Sequence, residues 1–568
     1  MKKIELLVPV GSLANLKAAV VSGADAVYLG MLRFGARTHA RNFSRDYLKK
    51  AIEICKSNNV KIFLTMNTLV KNKELYDFFK QLEFAYVAGI DAVIIQDPSF
   101  MNIIKHSFPG LKIHMSTQTG VLNSNHANLF KQANRINLAR ELSKQNIESI
   151  RKNFNKELEI FVHGALCVSI SGSCLFSGLL GGRSGNRGKC AQPCRKLYGE
   201  NYYLSTKELS LIEKLPKIIQ SNIDSIKIEG RMRTPYYVAT TTSVYRNAID
   251  SYYSGNFKIT QEVLDKLKTA FSRDFTEGGY SSESVFNRKT AEGSSDIQEQ
   301  TYEVKTKEIH LGFREANIAL PKIKETPAKQ KQLLVRVYSK QDAIAACENG
   351  ADIIYLDLFH KDFQEIKKQI NCSLYAVTPR IMLDSDISEI TKEIKEKNPE
   401  GLLAGNLGIL NLNLKLPIHL DYNSNCFNDY SLQYLESLNA LPIISPELST
   451  KEQIEFKNKN FITFVHGKIR LMTLAHKLDK KSITDEKGFT FYINQIKNGS
   501  EILNEKELGL FNKAKNLLRA GITRFYIDTE TNVGEVTNIY RQILDGKTID
   551  VSKLKQDYVL GWSDKGVL

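Results

Sequence analysis

Four of the chain's eight cysteines, Cys167, Cys174, Cys190 and Cys194, fall within 28 residues as C-x6-C-x15-C-x3-C. Four soft thiolates in one stretch make a ligand set for zinc or for an iron–sulfur cluster, since both accept a thiolate tetrahedron. The spacing favours iron. Structural zinc usually draws on two tight knuckles, and only Cys190 and Cys194 are close enough in sequence to form one. Disulfides are not expected of a cytosolic chain, because that compartment keeps thiols reduced. Cys55, Cys347, Cys372 and Cys426 stand singly and read as small buried hydrophobes.

The loop around the thiols, RSGNRGKCAQPCRK, carries Arg183, Arg187, Lys189, Arg195 and Lys196 and no acidic residue. Cations beside thiolates stabilise the ionised sulfurs and the net negative charge of a thiolate-held cluster, and they would equally draw in an RNA backbone or an anionic cofactor. Glycines at 178, 181, 182, 185 and 188 leave the loop free to wrap a cluster. Just upstream, the second-last residue of LEIFVHG is His163, a candidate catalytic histidine whose alternative is a satisfied strand-end side chain.

Short apolar runs, VKIFLTMN, DAVIIQD, LKIHMST, LEIFVHG and DSIKIEG, alternate with helical stretches in the pattern of consecutive βα units. Each run closes on polar residues: Asn67, Gln96 and Asp97, Ser116 and Gln118, His163, Glu229. A parallel βα barrel gathers its active site at such strand ends, so the expected architecture is α/β with a TIM-like βα barrel carrying the cysteine loop. A doubly wound open sheet is the alternative that the same alternation permits.

The chain repeats itself. ELLVPVGSLANLKAAVVSGADAVYLG is answered without a gap by QLLVRVYSKQDAIAACENGADIIYLD, Phe161-Val162-His163-Gly164 by Phe464-Val465-His466-Gly467, and Tyr245-Arg246 by Tyr540-Arg541. The repeat spans more than a supersecondary unit, which makes it a domain duplication and not a solenoid. The expected organisation is a cluster-binding barrel over 1–280, a polar linker with a small β element over 281–330, and a degenerate second copy over 331–568. Counting from the His-Gly pair, the second copy has Arg470 and Lys477 where Cys167 and Cys174 stand. It has lost the ligands, so any metal chemistry belongs to the first half.

Lysine and arginine (78) outnumber aspartate and glutamate (62), a net +16 that suits a polyanionic partner such as RNA. The opening MKKIELLVPVGS is too short in its apolar run for a signal peptide, and no stretch reaches the roughly 18 apolar residues of a membrane span. A soluble cytoplasmic protein is expected.

HGALC, SGSC, RSGNRGKCAQPCR, LSTKEL, KIEGRMRTPYYVA and FTEGGY together resemble the peptidase U32 family, the collagenase-like peptidases. The resemblance implies a barrel in which Cys167, Cys174, Cys190 and Cys194 hold a 4Fe–4S cluster. It also implies oxygen-independent hydroxylation of a nucleobase, a tRNA uridine or an rRNA cytidine, with prephenate as the hydroxyl source. A related pair serves ubiquinone hydroxylation, so an electron donor or other partner protein is compatible with it. The KIEGRMR motif places Lys227, Glu229, Arg231 and Arg233 on the last barrel strand, with Glu229 and Arg231 joining His163 as candidates for catalysis. Arg183, Arg187, Lys189, Arg195, Lys227 and Arg233 are the candidates for contacting substrate or RNA. The family name offers a peptidase as the alternative activity, but the chain has neither the H-E-x-x-H zinc motif nor the G-x-S-x-G nucleophile elbow. A non-catalytic scaffold with a structural cluster is the third reading.

Overall fold

The computed structural model describes residues 3–290, 301–306, 314–328, 330–547, 549 and 558–568. Its first βα unit shows how local sequence dictates local geometry. Strand β1 (Glu5–Pro9) is buried throughout. Ser12 then accepts a hydrogen bond from the Asn15 amide and starts the helix Leu13–Val21. Gly23 turns the chain at φ +90°, where a Cβ would meet the Arg246 side chain at 2.7 Å, so a side chain there is excluded by backbone and neighbour alike. Asp25 accepts from the Leu6 amide at 2.8 Å and from Arg246 at 3.0 Å, tying β1 to strand β2 (Ala26–Gly30).

The same device recurs in the second copy. Ser339 caps the helix Lys340–Glu348, and Gly350 turns at φ +96° against Arg541. Asp352 accepts from the Leu333 amide at 2.7 Å and from Arg541 at 3.0 Å. The repeated Gly-Ala-Asp and Tyr-Arg signatures are thus one physical unit. Their tyrosines do matching work too, Tyr245 donating to the Val162 carbonyl at 2.8 Å and Tyr540 to the Val465 carbonyl at 2.9 Å.

The first sheet continues through β3 (Lys61–Met66), β4 (Ala92–Ile95), β5 (Lys112–Met115), β6 (Arg135–Asn137) and β7 (Glu157–Ala165). Strand β8 (Glu208–Ser210) lies antiparallel on β7, and β9 (Ser225–Ile228) pairs in parallel with both β7 and β1. That double pairing closes an eight-stranded parallel barrel from β1 to β7 and β9, which settles the architecture as TIM-like and removes the open-sheet alternative. The short β10 (Phe275–Thr276) extends the sheet from β8.

At the starts of β1, β6, β7 and β9, charged side chains meet across the barrel. Arg135 lies 2.6 Å from Glu5, 2.7 Å from Glu157 and 3.1 Å from Glu159. Lys227 bonds Glu159 at 2.9 Å, and Asn137 donates to the same carboxylate at 2.9 Å. Burial would raise the Glu5 carboxyl, yet Arg135 and Lys61 overcome it and hold Glu5 below the ordinary glutamate value.

The second sheet contains β11 (Gln332–Arg336), β12 (Ile353–Asp357), β13 (Ser373–Val377), β14 (Gly401–Ala404), β15 (Ile418–Leu420), β16 (Ala440–Pro442) and β17 (Thr463–Gly467). The remaining strands of this half are β18 (Arg470–Leu474), β19 (Ser482–Thr484), β20 (Thr490–Ile496), β21 (Gly499–Leu503), β22 (Leu508–Gly509) and β23 (Arg524–Asp528). Strand β23 sits between β11 and β17 as β9 sits between β1 and β7, and β22 lies antiparallel on β17 as β8 does on β7. Between β16 and β17 the ladder is reduced to one bridge, Ile443 to Ile462. Even an irregularity is shared: the register shifts at Phe161/His163 in the first copy and at Phe464/His466 in the second. Strands β18 to β21 form a separate antiparallel sheet ordered β18-β21-β20-β19, an insertion that the βα reading of this half had not anticipated.

By their contacts, residues 1–70, 74–172 and 185–321 form one unit and residues 71–73, 173–184 and 322–568 another. The expected small β element of the linker is not a regular strand among the described residues. It amounts to isolated bridges, Phe286 to Thr206 and Thr326 to Asn458. In TYEVKTKEIHLGF, residues 301–306 form no strand, the Lys305 carbonyl accepting instead from the Asn58 side chain at 2.9 Å, and residues 307–313 lie outside the described residues. Cys55 and Cys426 are buried as expected, but Cys347 and Cys372 are half-buried and adjacent, the Cys372 amide donating to the Cys347 sulfur at 3.2 Å. No described helix is long and apolar enough to cross a membrane.

Replacing Arg135 with methionine removes the shared cation from Glu5 and Glu159. Stranding buried carboxylates in this way is expected to destabilise the first barrel by about 3–5 kcal/mol, read as a drop in unfolding free energy by urea denaturation.

Candidate active site

The C-terminal ends of the first barrel's strands form a mouth lined by arginines and thiols. After β2, the chain FGARTHARN brings Arg37 to Glu229, whose carboxylate lies 3.2 Å from the guanidinium. Burial would raise the Glu229 carboxyl, but Arg37, Arg140 and Arg233 outweigh it and keep it ionised below the usual range. Glu229 and Arg231 take different partners. Arg231 is buried and donates to Thr65 Oγ1 at 3.0 Å and to Asn42 Oδ1, and burial lowers its pKa to about 10. Gly30 makes room for it, since a Cβ there would sit 2.2 Å from the guanidinium.

Strand β7 delivers the first cysteine. Gly164 has φ +101° and a Cβ on it would lie 2.5 Å from the Glu229 carbonyl, so the His-Gly pair allows the chain to leave the barrel tightly past β9 toward Cys167. The 185–196 part of the loop is pinned to the barrel. Arg187 grips Glu74 at 2.8 and 2.9 Å and donates to the Leu69 carbonyl at 2.9 Å. Thr38 donates to the Gly188 carbonyl at 2.8 Å. Arg195 donates to Ser205 Oγ at 2.9 Å, the Thr206 carbonyl at 2.6 Å and Thr206 Oγ1 at 2.9 Å.

This pinning brings Cys167, Cys190 and Cys194 into one electrostatic environment. Burial pushes the Cys167 thiol up, with Cys190 and Glu141 adding to the rise while Arg140 and the Ser169 amide oppose it. Burial, Cys167 and Cys190 push Cys194 up to about 12, against the pull of Arg195. The Gln192 amide donates to the Cys190 sulfur at 3.3 Å. Cys174 is half-buried and lies on the 173–184 segment. Among the described residues no three His, Cys, Asp or Glu side chains are arranged to hold a metal ion. The donors nevertheless suit an anionic thiolate cluster: three mutually repelling sulfurs, a backbone N–H on one of them, and the guanidinium groups of Arg37, Arg140 and Arg195 nearby.

Several sequence candidates find other roles. His163 is fully buried among Tyr237, Tyr245 and Phe275, and burial, with Arg233, lowers its pKa to about 3. A neutral imidazole walled in by rings serves packing and not proton transfer, so the catalytic expectation for it is corrected. Lys227 is 4% exposed inside the barrel, bound to Glu159 and 4.4 Å over the Tyr28 ring, out of reach of RNA. Arg233 stacks 3.4 Å over Phe271 and pairs with Glu208 at 3.2 Å. Arg187 and Arg195 pin the loop as described. Arg183 is exposed and Lys189 half-buried.

The sequence reading missed Arg37, Arg140 and Glu141. Arg140 lies 4.3 Å over the Phe161 ring and donates to the Ala165 carbonyl at 3.0 Å. Both Glu141 carboxylate oxygens are buried, and burial raises its pKa to about 7 against the opposing pull of its own amide, the Arg140 charge and the Arg140 amide, the range in which a carboxyl exchanges protons at neutral pH. The FTEGGY motif packs here: a Cβ on Gly279 would lie 2.3 Å from the Glu141 carbonyl oxygen. The retrievable signal was positional, since ARELS follows the β6 strand end as FGARTHARN follows that of β2.

Residues 11–289 match the family model described as Peptidase family U32. The tRNA hydroxylation protein P1 of Bacillus subtilis is 39% identical over 297 residues, covering 48% of this chain and 70% of that protein. An uncharacterized protease of Methanocaldococcus jannaschii is 41% identical over 302 residues, 49% of this chain and 74% of its own. A 23S rRNA 5-hydroxycytidine synthase of Escherichia coli is 35% identical over 262 residues, 44% of this chain and 40% of its own.

Because Glu141 binds its proton more tightly folded than unfolded, its burial costs stability as pH rises from the ordinary glutamate value through about 7. In the metal-free chain, Glu141→Gln is expected to be stabilised relative to wild type by on the order of 2–3 kcal/mol at pH 8 and by less than about 1 kcal/mol at pH 5, measured as unfolding free energy at the two pH values.

Proposed function

The chain belongs to peptidase family U32, and from that premise we propose that it carries out oxygen-independent hydroxylation of a nucleobase in RNA, a tRNA uridine or an rRNA cytidine. Cys167, Cys174, Cys190 and Cys194 would hold a 4Fe–4S cluster, and prephenate would supply the hydroxyl group. The observation that carries this reading is the gathering of Cys167, Cys190 and Cys194 with Arg37, Arg140 and Arg195 at the first barrel's mouth. The relatives named for tRNA and rRNA hydroxylation give the substrate class, and the net charge of +16 suits it.

A bound cluster supplies electron transfer or an electrophilic iron position. The chain's own residues do the rest. Arg37 and Arg140 attract carboxylate or phosphate groups into a partly desolvated mouth, where the ionic attraction is stronger than in water. Glu229 fixes Arg37 in place through its 3.2 Å contact. Glu141 holds a proton near neutral pH at the carboxyl oxygens and can give or take it there.

The peptidase reading, kept alive by the name of the archaeal relative, requires an activated nucleophile. A cysteine nucleophile works as a thiolate, yet burial pushes Cys167 and Cys194 up, and the buried His163 is surrounded by aromatic rings.

Mass spectrometry of tRNA and rRNA nucleosides from a strain lacking the gene tests the proposal. Loss of a hydroxylated uridine or cytidine is expected. Wild type should restore it, and Cys190→Ser or Arg37→Ala should restore at least about tenfold less. An unchanged nucleoside profile, together with gelatin hydrolysis by the purified chain, would replace the hydroxylase with a peptidase.

A further inference from the structure

The antiparallel sheet inserted between β17 and β22 has two unlike faces. Ile483, Phe491, Ile493 and Ile502 are buried on one side, with Phe491 edge-on to Phe176 at 4.9 Å. The other side is solvent-facing and presents Ser482, Thr484, Tyr492 and Asn494. Tyr492 is 42% exposed and pairs across the strands with Ser482. Phe489, 48% exposed, stands at the adjoining hairpin turn, which Asp485 shapes by accepting from the Lys487 and Phe489 amides at 2.9 and 3.0 Å.

Lysines surround these rings. Lys468 Nζ lies 4.4 Å over the Tyr492 ring, and Lys477, Lys480, Lys481 and Lys487 are exposed on the same insert. Against these five lysines the insert's surface sets Asp479, Asp485, Glu486 and Glu505, of which Asp485 is engaged in its turn and Glu505 accepts from the Thr490 amide at 3.4 Å. The edge strand of the sheet also receives the chain that follows Cys174, the Leu175 amide donating to the Leu471 carbonyl at 2.7 Å.

We propose that this face binds single-stranded RNA, with Tyr492 and Phe489 stacking on unpaired bases and Lys468, Lys480, Lys481 and Lys487 contacting phosphates. The proposal rests on the RNA reading given above and assigns its docking platform to the second copy. Two exposed rings separated by small polar side chains on a lysine-rich sheet make a sequence-tolerant stacking surface. A protein partner would call for a continuous apolar centre and for arginine over lysine, whereas here the polar residues interrupt the rings and the exposed cations are lysines. Stacking plus charge also suits an enzyme that must hold an unpaired nucleotide out of its helix for chemistry.

The test is fluorescence anisotropy of the full chain with a labelled, unstructured oligouridine of about 12 nucleotides, repeated with total tRNA. Tyr492→Ala is expected to weaken oligouridine binding about tenfold, Tyr492→Phe less than about twofold, and Phe489→Ala plus Tyr492→Ala more than either alone. Replacing Lys480 and Lys481 with glutamine is expected to reduce the slope of log affinity against log salt by about 1.4, or about 0.7 per lost phosphate contact. Wild-type binding that persists unchanged in the Phe489/Tyr492 double alanine variant would overturn this platform and leave RNA hydroxylation standing. Failure of wild type to bind either RNA would overturn both.

Discussion

Thiols placed together in a desolvated mouth repel as they ionise, and everything around Cys167, Cys190 and Cys194 is arranged with that repulsion in view. Burial alone drives Cys167 and Cys194 toward the neutral thiol. Thiolates can form there only when positive charge is held close, by protein cations and then by metal. Arg37, Arg140 and Arg195 supply the first, and each is fixed by a separate part of the fold: Arg37 by Glu229 at the end of β9, Arg140 by the Phe161 ring and the Ala165 carbonyl of β7, Arg195 by Ser205 and Thr206. Those anchors hold position because β9 closes the barrel between β7 and β1. The Arg135 cluster with Glu5, Glu157 and Glu159 joins the starts of β1, β6 and β7, so the charged layer at one end of the barrel supports the charged mouth at the other.

The second copy shows what the same scaffold does without the thiols. Arg470 stands where Cys167 stands relative to the His-Gly turn, and Asp528, the last residue of β23, stands where Glu229 follows β9. The two meet in an ion pair, and Arg470 is joined by Glu501 at 2.9 Å and by the Tyr338 hydroxyl at 2.6 Å. Beside them Arg380 donates to Asp421 at 2.8 Å. In this copy the buried arginines are compensated by carboxylates of the same half, Arg470 by Asp528 and Glu501 and Arg380 by Asp421. Buried pairs of this kind add little net stability; what they do here is neutralise one another at the positions where the first copy carries Cys167 and Glu229.

Much of this could be read from residue order. Strand and helix alternation gave the barrel, the gapless repeat gave the duplication, and the cysteine spacing pointed to the loop. The rest depended on contacts between residues distant in sequence. Nothing near Lys227 announces that its ammonium points into the barrel onto Glu159, since KIEGRMR looks equally basic whether a strand residue faces core or solvent. His163 left a catalytic and a packing role both open, because a histidine at a strand end can face either the mouth or the outer layer, and only the packing of Tyr237, Tyr245 and Phe275 decides. Glu141 was passed over because ARELS has no motif. Its raised pKa arises from burial beside Gly279, more than a hundred residues later. The insert of β18 to β21 was hidden by reading the second half through the first.

The iron–sulfur cluster proposed for the first copy's four cysteines has a chemical signature of its own. Iron and acid-labile sulfide determined on anaerobically purified full-length protein, with its visible absorption spectrum, test it most directly. About four irons and four sulfides per chain are predicted, with a brown absorption band that Cys190→Ser diminishes. A colourless protein carrying about one zinc per chain, or no metal at all under these conditions, would contradict it.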